Sequence, residues 1–157
     1  MTTGDGADTP DRDALAGVDG TGETASYESL GGAAFFADFT REFYALVAAD
    51  PVLSAMYPED DMAGAERRLR LFLEQYWGGP TTYNEVRGHP KLRMRHMPFP
   101  IDSVARDRWL VNMHDAVVEQ NMPTELETEL WTYFVGAAFA MQNIVDENPG
   151  AIAVDEA

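Results

Sequence analysis

Apolar residues recur at steps of three and four along most of this chain, and no segment alternates them convincingly with polar ones. That spacing places them on one face of a helix, which makes 3.6 residues per turn, and it cannot line one face of a strand. Phe36, Phe39, Phe43, Leu46 and Val47 form the first stripe. Pro51 ends that helix, because a proline disfavours helical geometry in the residue before it. A second helix is predicted from near Asp61, with Ala65, Leu69, Phe72, Leu73 and Tyr76 on one face, and Gly78, Gly79 and Pro80 stop it. A third runs over residues 102–121 with Trp109, Met113 and Ala116 on one side. The fourth opens with Thr124 and Glu127 at capping-box spacing and buries Leu130, Phe134, Ala137, Met141 and Ile144. The loop between the second and third contains one short helix from residue 90 to 95 or 96. Pro90 suits its first position, while Pro98 and Pro100 forbid its continuation. Four substantial helices and a long middle loop predict an all-α domain.

The 157 residues make one ordinary domain. Residues 1–26 are rich in Gly, Thr, Asp and Ala, with few large apolar side chains to offset the entropy of ordering them; they are expected to form an acidic, disordered tail. Residues 148–157 have a similar composition, which leaves residues 27–147 as the domain. The formal net charge of −16 argues against nucleic acid or an anionic membrane surface as partner. There is no cysteine, so disulfides, thiolate ligands and cysteine nucleophiles are excluded. The longest apolar stretches, such as residues 134–141, fall far short of the roughly 18 residues of a membrane span, and no secretory signal is visible. A cytoplasmic protein is expected. Lys91 is the only lysine beside ten arginines. With so many carboxylates, this composition resembles proteins of salt-adapted organisms, whose self-repulsion is screened by concentrated salt.

Three histidines limit the search for chemistry. His89 precedes Pro90 and suits a cap or turn. His114 lies inside the third helix, turned away from Trp109, and is expected on the surface. His96 shares a face of the short helix with Leu92, four residues earlier. Such an imidazole is either a buried structural group or an axial metal ligand. No second histidine stands at i+3 or i+4, and no carboxylate cluster accompanies it, so zinc and di-iron sites are poorly supported. A lone imidazole fits a cofactor that brings its own equatorial ligands, which means haem. Residues 67–95 carry Arg67, Arg68, Arg70, Arg87, Lys91, Arg93 and Arg95 against Glu74 and Glu85, a local net charge of +5. A solvated, balancing face explains part of this island. Cations near His96 would also suit the two propionates of a haem, because arginine recognises carboxylates with two prongs.

The stretch YPEDDMAGAERRLRLFLEQYWGGPTTYNEVRGHPKLRMRHMPFPI at residues 57–101, followed by ARDRWLVNM at 105–113, resembles the group II truncated haemoglobins. The similarity extends from about Tyr27 through the fourth helix, and Gly31 with Gly32 matches an early glycine motif of that family. FLEQYWGGP and RGHPKLRMRH are its most specific parts.

The resemblance implies a two-over-two helical sandwich, a shortened globin whose proximal helix is a brief segment in a long loop. It implies haem b, with His96 as the proximal iron ligand and the opposite axial position open to dioxygen, carbon monoxide or nitric oxide. The distal residues carried over are Tyr44, Tyr57 and Trp109, with Ala65 and Leu69 on the second helix. Ala65 stands where many globins place a distal histidine, so that donor is missing. Tyr44, Tyr57 and Trp109 offer O–H and N–H donors to a ligand with partial negative charge. Arg68, Tyr76 and Arg95 match positions near the haem edge and are the candidate propionate partners. The implied function is reversible dioxygen binding. The alternative is a redox enzyme using the same haem for nitric oxide dioxygenation or peroxide reduction, which would need a separate reductase.

Overall fold

The computed structural model describes residues 24–58 and 60–145. Most of the two tails expected at 1–26 and 148–157 therefore lies outside the described residues. The last three residues of the first are already part of the domain. Ala25 is fully buried and donates its amide to Glu129 Oε1 at 2.7 Å, and Ser26 caps the first helix.

Eight helices occur among the described residues, and the four long ones are those that the periodicity predicts: α2 (Gly32–Ala49), α4 (Met62–Tyr76), α7 (Ser103–Glu119) and α8 (Thr124–Met141). Four short ones join them: α1 (Tyr27–Leu30), α3 (Pro51–Ser54), α5 (Thr82–Arg87) and α6 (Leu92–His96). Helix α2 packs against both α4 and α7, and α7 packs against α8. One pair thus lies over the other, in the two-over-two arrangement. The inner face of α2 supplies Phe36, Phe39, Phe43 and Val47, each at most 1% exposed, and Phe39 meets Phe134 of α8 across the core. Burying a phenylalanine side chain contributes about 1.5–3 kcal/mol, so this stripe alone commits α2 to the centre.

Several boundaries differ from expectation: α8 stops at Met141, which leaves Ile144 beyond it and 41% exposed, and Pro123 stands at its N-cap, so Thr124 and Glu127 form no capping box. Pro51 ends α2 and also starts α3, because Asp50 caps the amides of Val52 (2.9 Å) and Leu53 (3.2 Å) and the proline ring suits the first turn. The short middle helix begins at Leu92 rather than Pro90, since Lys91 takes a left-handed conformation (φ 42°, ψ 57°) that interrupts it. Gly31 holds φ at 123° between α1 and α2, and a Cβ there would press to 2.9 Å from that of Phe35. Only glycine fits this joint without strain.

Candidate functional site

Helix α6 carries His96 near the surface, packed toward α8. Its Nδ1 lies 2.8 Å from the carbonyl oxygen of Leu92, one turn earlier. A carbonyl only accepts, so Nδ1 bears a proton, and in the neutral ring Nε2 is the nitrogen with the lone pair. Nε2 has no partner among the described residues. That is the tautomer an axial iron ligand requires, held by the backbone of its own helix. Met94, Met97 and Phe99, within three residues of His96 in the chain, are 60%, 66% and 38% exposed, so this segment leaves apolar side chains uncovered. A flat apolar cofactor with a metal at its centre fits this donor and these neighbours.

The segment is tied down from both sides. Arg95 donates from Nε to the Pro90 carbonyl (2.6 Å) and from Nη2 to those of Arg87 (2.8 Å) and His89 (3.0 Å). The guanidinium thus braces the loop before α6, next to the left-handed Lys91, through Nε and Nη2. Beyond α8, the Asn143 side chain donates to the carbonyls of His96 (3.1 Å) and Phe99 (2.9 Å) and accepts from the Ile101 amide (2.9 Å). Sequence reasoning missed Asn143, because its partners lie more than forty residues away. His89 sits in the loop as expected, with Nδ1 buried and lacking a hydrogen-bond partner. His114 is exposed, edge-on to Trp131 at 4.9 Å, and borders a surface groove of about 370 Å³ with Glu42 and Asp115, apart from the features around His96.

The three distal candidates come together in one edge-on aromatic series. Tyr57 meets Tyr44 (ring centroids 5.8 Å apart), Tyr44 meets Phe43 (5.1 Å), and Phe43 meets Trp109 (5.4 Å). Burial, and next the adjacent Tyr57 phenol, push the Tyr44 hydroxyl well above its ordinary pKa. Burial raises Tyr57 too, while Tyr44 and the Arg68 guanidinium pull it partly back. Both phenols stay protonated at neutral pH. Trp109 donates to no protein group among the described residues. Ala65 is buried on α4, with Leu69 half-buried one turn on.

The three candidate propionate partners make separate protein contacts. Arg68 pairs with Asp61 at 2.8 Å near the distal tyrosines, and Arg95 is engaged as above. Tyr76 belongs to an aromatic cluster, 4.3 Å from Tyr133 and next to Phe72 and Trp77.

One further polar centre, absent from the sequence reading, joins α2, α3 and α7. Asp50 is 4% exposed, and Arg108 and Asn112 both donate to its Oδ2. Burial alone would raise its carboxyl. Hydrogen bonds from Asn112, the Leu53 amide, Arg108 and the Val52 amide outweigh burial and hold it below the ordinary carboxylate value.

Comparison with known proteins agrees with this architecture. The profile of the family described as bacterial-like globin matches residues 25–143. A thermostable haemoglobin from the actinobacterium Thermobifida fusca is 56% identical and superposes with a TM-score of 0.75, over 77% of this chain and 98% of that one. The truncated oxygen-avid haemoglobin of Bacillus subtilis gives 37% identity and a TM-score of 0.71 over 76% of this chain and all (100%) of that one. Among curated sequences, the group 2 truncated haemoglobin YjbI of Bacillus subtilis is 38% identical over 107 residues, 68% of this chain and 80% of that protein. By fold, motif and sequence, the chain belongs to the bacterial-like globins and, within them, to the group II truncated haemoglobins.

Proposed function

We propose that this globin binds haem b through His96 and holds dioxygen reversibly on the side lined by Tyr44, Tyr57 and Trp109. The observation that carries the reading is the His96 ring: Nδ1 faces the Leu92 carbonyl, Nε2 is left without a partner among the described residues, and the surrounding segment exposes Met94, Met97 and Phe99. When bound, the haem would supply an iron able to take a diatomic gas.

The rest follows from the protein's own groups. Tyr44, Tyr57 and Trp109 present O–H and N–H donors, the two tyrosine rings standing edge-on to each other at 5.8 Å. A neutral donor contributes about 0.5–1.5 kcal/mol net to a polar acceptor, and more if the acceptor carries charge. Such a set favours dioxygen over carbon monoxide, which develops less negative charge. Ala65, with one methyl group, adds no donor and leaves room. Arg68, Tyr76 and Arg95 are the candidates for the propionates, and Arg95 also shapes the loop that presents His96.

The test is the visible spectrum of haem-loaded protein. His96→Gly is expected to lose the wild-type haem bands and to regain them on adding imidazole, which takes the vacated place. An unchanged spectrum in that variant would remove His96 from the iron.

A further inference from the structure

Asp50 is a buried carboxylate to which the oxygen-binding reading gives no part. Its Oδ1 caps α3 by accepting the amides of Val52 (2.9 Å) and Leu53 (3.2 Å). Its Oδ2 accepts from Arg108 Nε (3.0 Å) and Asn112 Nδ2 (2.9 Å), both on α7, and Arg108 Nη2 lies 2.8 Å from the same oxygen as an ion pair. Asn112 closes the arrangement by also donating to the Arg108 carbonyl at 3.1 Å. Five donor contacts therefore reach one carboxylate from two directions.

The elements that meet there are those that carry the three distal donors. Tyr44 stands on α2, six residues before Asp50. Tyr57 lies three residues beyond α3. Trp109 sits between Arg108 and Asn112 on α7. Helix α3 has only four residues, too few to hold its own conformation, so its place is set by its cap and by its contact with α7. A carboxylate withdrawn from water is tolerated only while its partners stay in place. Unlike an apolar contact, which can slide, this junction therefore has one geometry. Arg108 is half exposed and would be free to swing into solvent without the fork it makes on Asp50.

We propose that Asp50 is a positioning residue that fixes Tyr44, Tyr57 and Trp109 relative to one another and so sets how tightly a polar diatomic ligand is held. The proposal rests on the reading of those three side chains as ligand donors. Asp50 touches no ligand itself; it acts through the backbone of α3 and through α7.

The variant of choice is Asp50→Asn. It keeps the shape and one capping oxygen but turns an amide group toward the donors of Arg108 and Asn112. In haem-loaded protein, the carbon monoxide stretching band is expected to shift or split, because it reports the electrostatics of the distal side. Oxygen dissociation should quicken about three- to tenfold, the equivalent of one weakened hydrogen bond. Arg108→Lys, which keeps the charge without the fork, should fall between wild type and Asp50→Asn. In haem-free protein, the Val52 and Leu53 amides should exchange about tenfold faster in Asp50→Asn, a readout independent of any ligand. Leu126→Ala, a destabilising change in the first turn of α8, serves as control; it should lower the melting temperature and leave the band in place. If Asp50→Asn melts earlier with an unmoved band and an unchanged dissociation rate, its role is structural and the proposal falls alone. Wild-type protein that takes up no haem overturns the oxygen-binding reading and the proposal together.

Discussion

Two buried carboxylates show how differently one charge can be housed in this fold. Asp50 has five donor contacts and titrates below its ordinary value, so its contribution to stability is present above the unfolded carboxyl pKa and is lost as pH falls through the folded one. Glu74 is 5% exposed near the end of α4 and has a single distant partner, Arg70 Nη1 at 3.7 Å. Burial raises its pKa more than Arg70 lowers it, so the sign is reversed. The folded protein binds that proton more tightly than the unfolded chain, and the benefit is lost as pH rises through the folded value. At neutral pH Glu74 is thus a cost, made slightly worse by the negative end of the α4 dipole. Glu74→Gln is expected to stabilise by about 1 kcal/mol at neutral pH, with the gain shrinking as pH drops toward the unfolded carboxyl value of about 4.3. Urea midpoints taken from about pH 8 to about pH 5 check it; a variant weaker than wild type at pH 8 would show the long Arg70 contact to be a real gain. At this scale the sequence was partly legible. His96 stood out by elimination, because metal chemistry needs particular atoms and few were on offer. The donor trio entered through the resemblance, since aromatic residues on apolar stripes look like ordinary core. Asp50 stayed invisible because Arg108 and Asn112 lie 58 and 62 residues along the chain.

The short helices behave differently from the long ones. A long amphipathic helix announces itself through its stripe, and the stripes of α2, α4, α7 and α8 were all legible. Four to six residues cannot display a period, so α1, α3 and α5 went unread although their caps were in plain sequence: Ser26 with Ser29, and Asp50 before Pro51. Prolines bracket α6 and gave away its existence, but its start depends on a backbone turn at Lys91 that only the folded loop imposes. An L-residue in the left-handed region costs about 1–2 kcal/mol. Arg95, gathering three carbonyls, keeps the loop in that shape and so presents His96. Two substitutions should therefore move stability in opposite directions. Lys91→Gly removes the strain and is expected to gain about 0.5–1 kcal/mol after glycine's extra unfolded-state entropy is deducted. Arg95→Ala leaves carbonyls unsatisfied and should lose about 2 kcal/mol, together with affinity for haem. Thermal melts of the haem-free protein separate the two, and a loss in Lys91→Gly would mean that the lysine side chain holds the loop in a way its exposure hides.

At the scale of the whole molecule, the question is what a net charge of −16 does to so small a body. A domain of about 120 residues has a radius of gyration near 14 Å. At an ionic strength of about 0.01 M the Debye length is roughly 30 Å, so every carboxylate feels every other across the fold. At about 1 M it is roughly 3 Å, and only direct neighbours interact. Few attractive pairs offset the repulsion. Arg41 with Asp38 is well solvated and Arg68 with Asp61 partly so, and exposed pairs contribute between nothing and about 1 kcal/mol. The basic residues that could spread evenly through the acidic shell are instead concentrated at residues 67–95, on α4 and the segments leading to His96. Repulsion among the remaining carboxylates is thus left for the solvent to screen. The melting temperature is expected to climb by about 3–8 °C between about 0.05 M and about 1 M sodium chloride, equivalent to about 1–2 kcal/mol. A potassium chloride series at matched ionic strength should give the same rise, because screening depends on ionic strength, whereas preferential exclusion depends on the salt chosen. If screening is the whole cause, the rise must flatten once the Debye length falls below the spacing of neighbouring carboxylates. A chain adapted to brine should go on gaining beyond that point. A melting curve that is flat from low to molar salt would mean that the acidic shell costs the fold nothing, and the inference of salt adaptation would go with it.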